Sequence, residues 1–224
     1  MLERLGRDIV TGRYAGRTFP TEAELAIEHR VSRSVTREAV KMLTAKGLVT
    51  ARARKGTSVR PAAAWNLFDT DVLRWLLERQ FSVGLLREFN QLRIAIEPEA
   101  AALAARYGDD EQIAMITAAL ERMAAAERSG SDTLDADIAF HVAILLASGN
   151  PFYVRFCDVV ATALRSSILL TNQAKGRSAN IRDHAAIRDG IVARDPEAAR
   201  AAMRHLIGEV LVLIDRSEAS APPS

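Results

Sequence analysis

Apolar positions along the chain recur at three and four residues almost throughout, and at two residues only once. Leu2, Leu5 and Ile9 form such a stripe and stop before Gly12, which predicts a first helix. In "FPTEAELAIEHR", Thr21 stands where a helix N-cap belongs and Glu24 follows three residues later. That spacing lets each side chain satisfy the other's free backbone amide, so a second helix is expected from about Glu22. A third follows in "VSRSVTREAVKMLTAKG", capped by Ser32, closed by Gly47, with an expected apolar face of Val35, Ala39, Met42 and Leu43. Only a few residues separate the second and third helices, the spacing of a helix-turn-helix. "LVTARARKGTSVRP" then reads as two short strands, Leu48 to Ala51 and Thr57 to Arg60, joined by a basic tip of Arg52, Arg54, Lys55 and Gly56. That hairpin is a wing.

Beyond "RPAAA" the strand period does not return. "WNLFDTDVLRWLLERQF" offers Asp69 or Thr70 as a cap and Val72, Leu73, Leu76 and Leu77 on one face. Further helical segments follow, among them "DDEQIAMITAALERMAAAERSG", acidic at its start and stopped by Gly130, and "PEAARAAMRHLIGEVLVLIDRSE", with Asp195 as cap and Pro196 at the first helical position. The expected fold is mostly α: a winged helix-turn-helix over residues 1–60, a linker over 61–68, an all-α bundle of about six or seven helices over 69–216, and a disordered tail over 217–224.

Composition narrows the function classes. With 224 residues, 49% hydrophobic and 26% charged, the chain can bury the cores of two modest domains. No apolar run approaches the roughly 20 residues that cross a bilayer, and "MLERLGRDIV" carries charges where a signal peptide would be apolar, so a cytoplasmic protein without a membrane partner is expected. Cys157 is the only cysteine, which excludes an intrachain disulfide and a thiolate metal cluster. Any metal would be held by nitrogen and oxygen.

Charge divides the chain unevenly. Residues 1–60 hold 13 Lys and Arg against 6 Asp and Glu, whereas residues 61–224 hold 17 against 22. Charge alone does not separate a polyanion-binding face from a solvated basic surface, but the pattern does. Arg33, Ser34, Arg37 and Lys41 gather at the start and along one side of the third helix, where a recognition helix meets base edges and phosphates. Arginine suits that place because its planar fork can bond guanine O6 and N7 together.

The stretch "FPTEAELAIEHRVSRSVTREAVKMLTAKGLVTARARKGTSV" resembles the winged helix-turn-helix of the GntR family in the order of capping box, recognition helix and wing. It departs at Ala23, where the family commonly has an arginine, and at "ARKG", where a glycine-rich tip is usual. The resemblance implies DNA binding through Thr21, Ser32, Arg33, Ser34, Arg37 and Lys41, with the wing adding Arg54, Lys55 and Gly56.

The second domain contains the chemistry that composition left open. Asp137 and His141 lie four apart on a face continued by Leu134 and Leu145, so they look inward. On residue type alone they are a surface pair or a hydrogen-bonded core pair; joined by His184 and His205 they could hold a divalent cation. "LRIAIEPEAAALAA", "DADIAFHVAILLASGNP" and "DHAAIRDGIVARDPEAARAAMRHL" resemble the FCD ligand-binding domain of the FadR-type branch of GntR regulators. That resemblance implies a metal set of Asp137, His141, His184 and His205, with zinc expected first and nickel or manganese as alternatives. "WNLFDTDVLRWLLE" is similar to members responsive to sugar acids such as galactonate. Arg93 is then expected to grip an effector carboxylate, with Arg165 and Asn172 adding polar contacts; without the resemblance, Arg93 would pair with Glu97 on a solvated face.

Together these imply a homodimeric transcriptional regulator, expected to be a repressor, that reads an inverted repeat in double-stranded DNA. Its operator affinity would change when a small carboxylate, of the sugar-acid class, meets the metal. The rival readings are a metal-dependent hydrolase, since a cation with an open position can activate water, and a regulator for which the cation itself is the signal.

Overall fold

The structure, a computed structural model, describes residues 1–52, 56–79, 83–175 and 180–219, with side chains at all of these except 52, 79, 167–175 and 217–219. The chain divides into two units between residues 81 and 82.

In the first unit, α1 (Leu2–Val10), α2 (Glu22–His29) and α3 (Arg33–Ala45) precede an antiparallel hairpin of β1 (Val49–Arg52) and β2 (Gly56–Val59). The capping box forms as the sequence requires: the Glu24 carboxylate accepts from the Thr21 amide at 2.8 Å, and the Thr21 hydroxyl accepts from the Glu24 amide at 3.3 Å. Ser32 caps α3 by accepting from the Val35 amide. Gly47 ends α3 at φ +77, where a side chain would be strained and a Cβ would lie 2.9 Å from the Ala64 carbonyl oxygen.

The buried face of α3 is not the expected one. Thr36, Ala39, Val40 and Leu43 point inward, while Val35 and Met42 are about half exposed. Thr36 can be buried because its hydroxyl donates to the Ser32 carbonyl, so the polar atom is satisfied within its own helix.

The helix expected to open the bundle belongs to the first unit instead. In α4 (Thr70–Arg79), Asp69 caps by accepting from the amides of Asp71 and Val72, and Val72 and Trp75 join the core made by Leu5, Ile9, Leu25, Leu43 and Leu48. The Trp75 ring lies so close to α1 that a Cβ at Gly6 would fall 2.2 Å from it. Ion pairs border the contact: Arg74 donates two bonds to Glu3 at 2.7 and 2.9 Å, and Lys46 bonds Asp69 and Asp71. The boundary placed at 69 is therefore corrected to the 81/82 division, because the apolar stripe of α4 completes the core of the N-terminal unit.

The second unit contains α5 (Val83–Tyr107), α6 (Asp110–Ser129), α7 (Leu134–Ala147), the one-turn α8 (Pro151–Val154), α9 (Cys157–Lys175), α10 (Ile181–Val192) and α11 (Pro196–Ala219). α11 packs along α5 and α10, and α7 lies among α5, α6 and α9. Asp109 and Gln112 form a second capping box at the acidic start of α6, and Gly130 in the left-handed region ends it. Asp195 caps α11 through the Ala198 amide. α10 and α11 approach so closely that a Cβ on Gly190 would meet the Ala199 nitrogen at 2.7 Å. α11 continues through residue 219, so the first three residues of the expected tail are helical; residues 220–224 lie outside the described residues. Among the described residues no helix is long and apolar enough to cross a membrane.

Candidate functional site

Two places in the molecule concentrate polar chemistry. The first is the outer side of α3. Arg33, Ser34, Arg37 and Lys41 are all exposed there, opposite the face that packs. Arg37 is held only by a loose pair with Glu22 at 3.5 Å, and Lys41 by a surface pair with Glu38 at 2.8 Å, both well solvated. Such pairs contribute little to stability and yield readily to a phosphate. The Ser32 and Ser34 hydroxyls bond each other at 2.8 Å beside the helix start. Thr21 is occupied by its capping partner Glu24, so it fixes where α2 begins. Gly56 opens β2 at φ +77; Arg54 and Lys55 lie outside the described residues.

The second is buried in the helical unit. Asp137 and His141 share the inner face of α7, and His184 reaches the same point from the first turn of α10. One ligand atom from each lies within 4.8 Å of the others, and all three residues are buried. His141 Nε2 stands 3.3 Å and His184 Nε2 3.5 Å from the same Asp137 oxygen. Those separations suit a shared cation, because tetrahedral bonds of about 2.1 Å set ligand atoms about 3.4 Å apart.

The outer nitrogens of both rings are already committed. His141 Nδ1–H donates to Glu97 at 2.6 Å, and His184 Nδ1–H donates to the Asn180 carbonyl at 2.8 Å. Each ring thus presents its Nε2 to Asp137. His184 Nε2 has no hydrogen-bond partner although it is buried, an arrangement that costs free energy unless a further group completes it. The donor set of two imidazoles and one carboxylate fits a divalent ion of the zinc type, with positions left for an exogenous oxygen ligand.

Charge around the cluster is balanced by an unexpected partner. Glu97, 1% exposed, accepts from Arg93 Nε at 2.6 Å and from its Nη2 at 3.3 Å, while Arg93 Nη1 donates to the Asn90 side-chain oxygen at 3.0 Å. Burial pushes the Glu97 carboxyl up, but the charges of Arg93 and His141 outweigh it and bring the pKa down to about 2. Burial likewise opposes ionisation of Asp137, and the nearby His184 and His141 pull it well below the usual carboxylate range. For His141 burial is the largest single influence and lowers the pKa, yet the Glu97 charge and the hydrogen bonds to Asp137 and Glu97 together outweigh it, and the net shift is upward.

Three of the four expected metal ligands therefore meet, and the fourth does not. His205 sits on the outer side of α11, 63% exposed, with Nε2 3.9 Å from Asp183. The reason is register: Met203, Leu206 and Ile207 form the buried face, which leaves position 205 facing solvent. Arg93 is also corrected. The carboxylate in its fork is Glu97 of its own helix, in a buried pair and not a solvated one. Arg165 is exposed and bonds Asp135 at 2.9 Å, away from the cluster; the Asn172 side chain lies outside the described residues. Glu97 itself was missed as a site residue, although its i, i+4 spacing from Arg93 was visible. A further buried group with no partner, the Thr133 hydroxyl, lies at the N-cap of α7, four residues before Asp137.

Comparison with known proteins finds one family model within each unit. A model of bacterial regulatory proteins of the gntR family matches residues 2–59, and a model of the FCD domain matches residues 88–209. The galactonate operon transcriptional repressor of Escherichia coli K12 is 33% identical over 208 residues, covering 91% of this chain and 90% of that protein. The HTH-type transcriptional regulator YieP of the same organism is 34% identical, covering 92% and 90%. Among solved structures, a Streptococcus agalactiae GntR protein aligns with a TM-score of 0.52 at 23% identity, covering 95% of this chain and all of that one. E. coli McbR/YncC aligns at 0.54 and 16%, covering 97% and 96%. At those identities the structures speak for the fold alone.

Proposed function

Because the chain belongs to the GntR family of bacterial transcriptional regulators and carries an FCD domain behind its DNA-reading unit, we propose that it is a repressor whose hold on its operator is set by a small carboxylate bound at a metal centre. The observation that carries this reading is the convergence of two tautomer-fixed imidazole nitrogens on one buried carboxylate. Asp137, His141 and His184 would hold the cation, with zinc the expected ion. Bound there, the cation supplies a Lewis-acidic anchor for an effector's carboxylate or hydroxyl oxygens.

The name of the galactonate operon repressor, a relative over nine-tenths of this chain, supports the sugar-acid class for the effector. On the DNA side, Arg33, Ser34, Arg37 and Lys41 would meet bases and phosphates, Ser32 would set the start of their helix, and the wing with Arg54, Lys55 and Gly56 would add backbone contacts. A cytoplasmic homodimer with two such helices reads an inverted repeat. Effector binding that favours an arrangement of the bundle unsuited to the operator lowers DNA affinity by linkage. The relatives are transcriptional regulators, which removes the hydrolase reading of the same residues.

Metal analysis of purified protein and a thermal-shift titration with D-galactonate, with and without chelator, test the proposal. Bound zinc near one per chain, lost in His184→Ala, together with a galactonate shift that chelation abolishes, is the expected result. Absence of metal in the wild type under zinc supplementation overturns the metal centre. Metal without a response to galactonate or other aldonates, but with operator release governed by zinc, favours a metal sensor instead.

A further inference from the structure

The ligand atoms of the cluster come from α7 and α10. Among the described residues α5 contributes none, although α5 is the helix that the chain enters directly after the DNA-reading unit ends. α5 meets the cluster at His141, through Glu97 and through Arg93, whose Nη2 lies 3.4 Å from both ring nitrogens. The Glu97 carboxylate accepts the His141 Nδ1–H bond at 2.6 Å, and the rest of its acceptor capacity is filled from the same helix by Arg93, itself braced by Asn90. Resting on the metal reading above, we propose that Glu97 is a positioning residue with two effects: it keeps His141 in the tautomer that presents Nε2 to the cation, and it transmits cation binding to α5.

The first effect follows from proton placement. An imidazole has one N–H when neutral, and a buried carboxylate at Nδ1 holds the proton there, leaving Nε2 as the donor atom. The second follows from hydrogen-bond strength. Coordination at Nε2 withdraws electron density from the ring, so Nδ1–H becomes a stronger donor and its bond to Glu97 tightens. Glu97 cannot respond alone, because Arg93 and Asn90 tie it to one turn of α5. The helix has a place to yield at that point: Pro98, the next residue, has no N–H to give the Ile94 carbonyl, so α5 lacks one of its backbone bonds beside Glu97. Coupling is reciprocal, so whatever displaces this turn of α5 also changes cation affinity.

The experiment uses the full chain and zinc alone as the probe. Glu97→Gln keeps the shape but leaves Arg93 without its counter-charge; the double variant Arg93→Met with Glu97→Gln removes both charges and avoids a buried unpaired ion. Zinc affinity is measured by competition with a chelator, and amide hydrogen exchange is followed with and without zinc. In the wild type, zinc should slow exchange in α7, in α10 and in α5 around Glu97. In the variants affinity should fall by about 10–100-fold, and at saturating zinc the protection should persist in α7 and α10 but vanish from α5. Unchanged affinity in both variants overturns the tautomer role, and zinc protection of α5 as strong as in the wild type overturns the coupling. A wild type that takes up no zinc fails the metal reading itself, before any variant is compared.

Discussion

Glu97 carries a full charge in an interior that would expel it were it alone. Its folded pKa lies at about 2, below the ordinary 4.5. A depressed carboxyl pKa contributes stability that is complete above the unfolded value and is lost as pH falls through the folded one, here from about 4.5 down to about 2. Chelated wild-type protein should therefore lose melting temperature across that window. The double variant Arg93→Met with Glu97→Gln should lose it more gently, Asp137 keeping part of the slope; equal slopes would contradict the assignment. Glu97→Ala, which strands Arg93 in the core, should cost about 3–5 kcal/mol in chemical denaturation. At this scale the sequence was read unevenly. Asp137, His141 and His184 were legible because their neighbours fix which way each helix faces. His205 was misjudged because its neighbours Met203, Leu206 and Ile207 mark a buried face that excludes it. The Arg93–Glu97 spacing was visible, but an i, i+4 pair looks the same on a wet surface and in a core.

Helices were found largely through their ends, and faces were harder than ends. Thr21 with Glu24, Ser32, Gly130 and Asp195 all cap or stop where their chemistry directs. On α3, however, two stripes compete within the same residues, one through Val35 and Met42 and one through Thr36 and Val40. Hydrophobicity favoured the first; the self-satisfied Thr36 hydroxyl allowed the second. The consequence is a sharp contrast between adjacent residues. Leu43→Ala, at a fully buried position, should destabilise the N-terminal unit by about 2–5 kcal/mol. Met42→Ala, half exposed, should stay within about 0.5 kcal/mol. Urea unfolding of the two variants separates them, and comparable losses would return α3 to the other face.

Across the whole chain, the winged and all-helical parts were legible from the single change of hydrophobic period, but the seam between them was not. α4 has the apolar stripe of any bundle helix, and nothing in a stripe says which core it fills. Gly6 opposite Trp75 and the Arg74–Glu3 pair supply the answer only once the chain is folded. Trp75→Ala should therefore raise hydrogen exchange in α1 and α3, at a cost of about 3–5 kcal/mol, and leave α6, α7 and α10 as they were. Increased exchange in the bundle instead would move α4 back across the seam.

That seam also fixes how such a protein can be recombined. A chimera that keeps this DNA reader and borrows another sensor, joined at residue 60 where the wing ends, would inherit a foreign α4 against Gly6, Glu3 and Lys46. Joined after α4, it would carry its own Trp75 and its own counter-charges, and the portable module is about twenty residues longer than the motif that announces it.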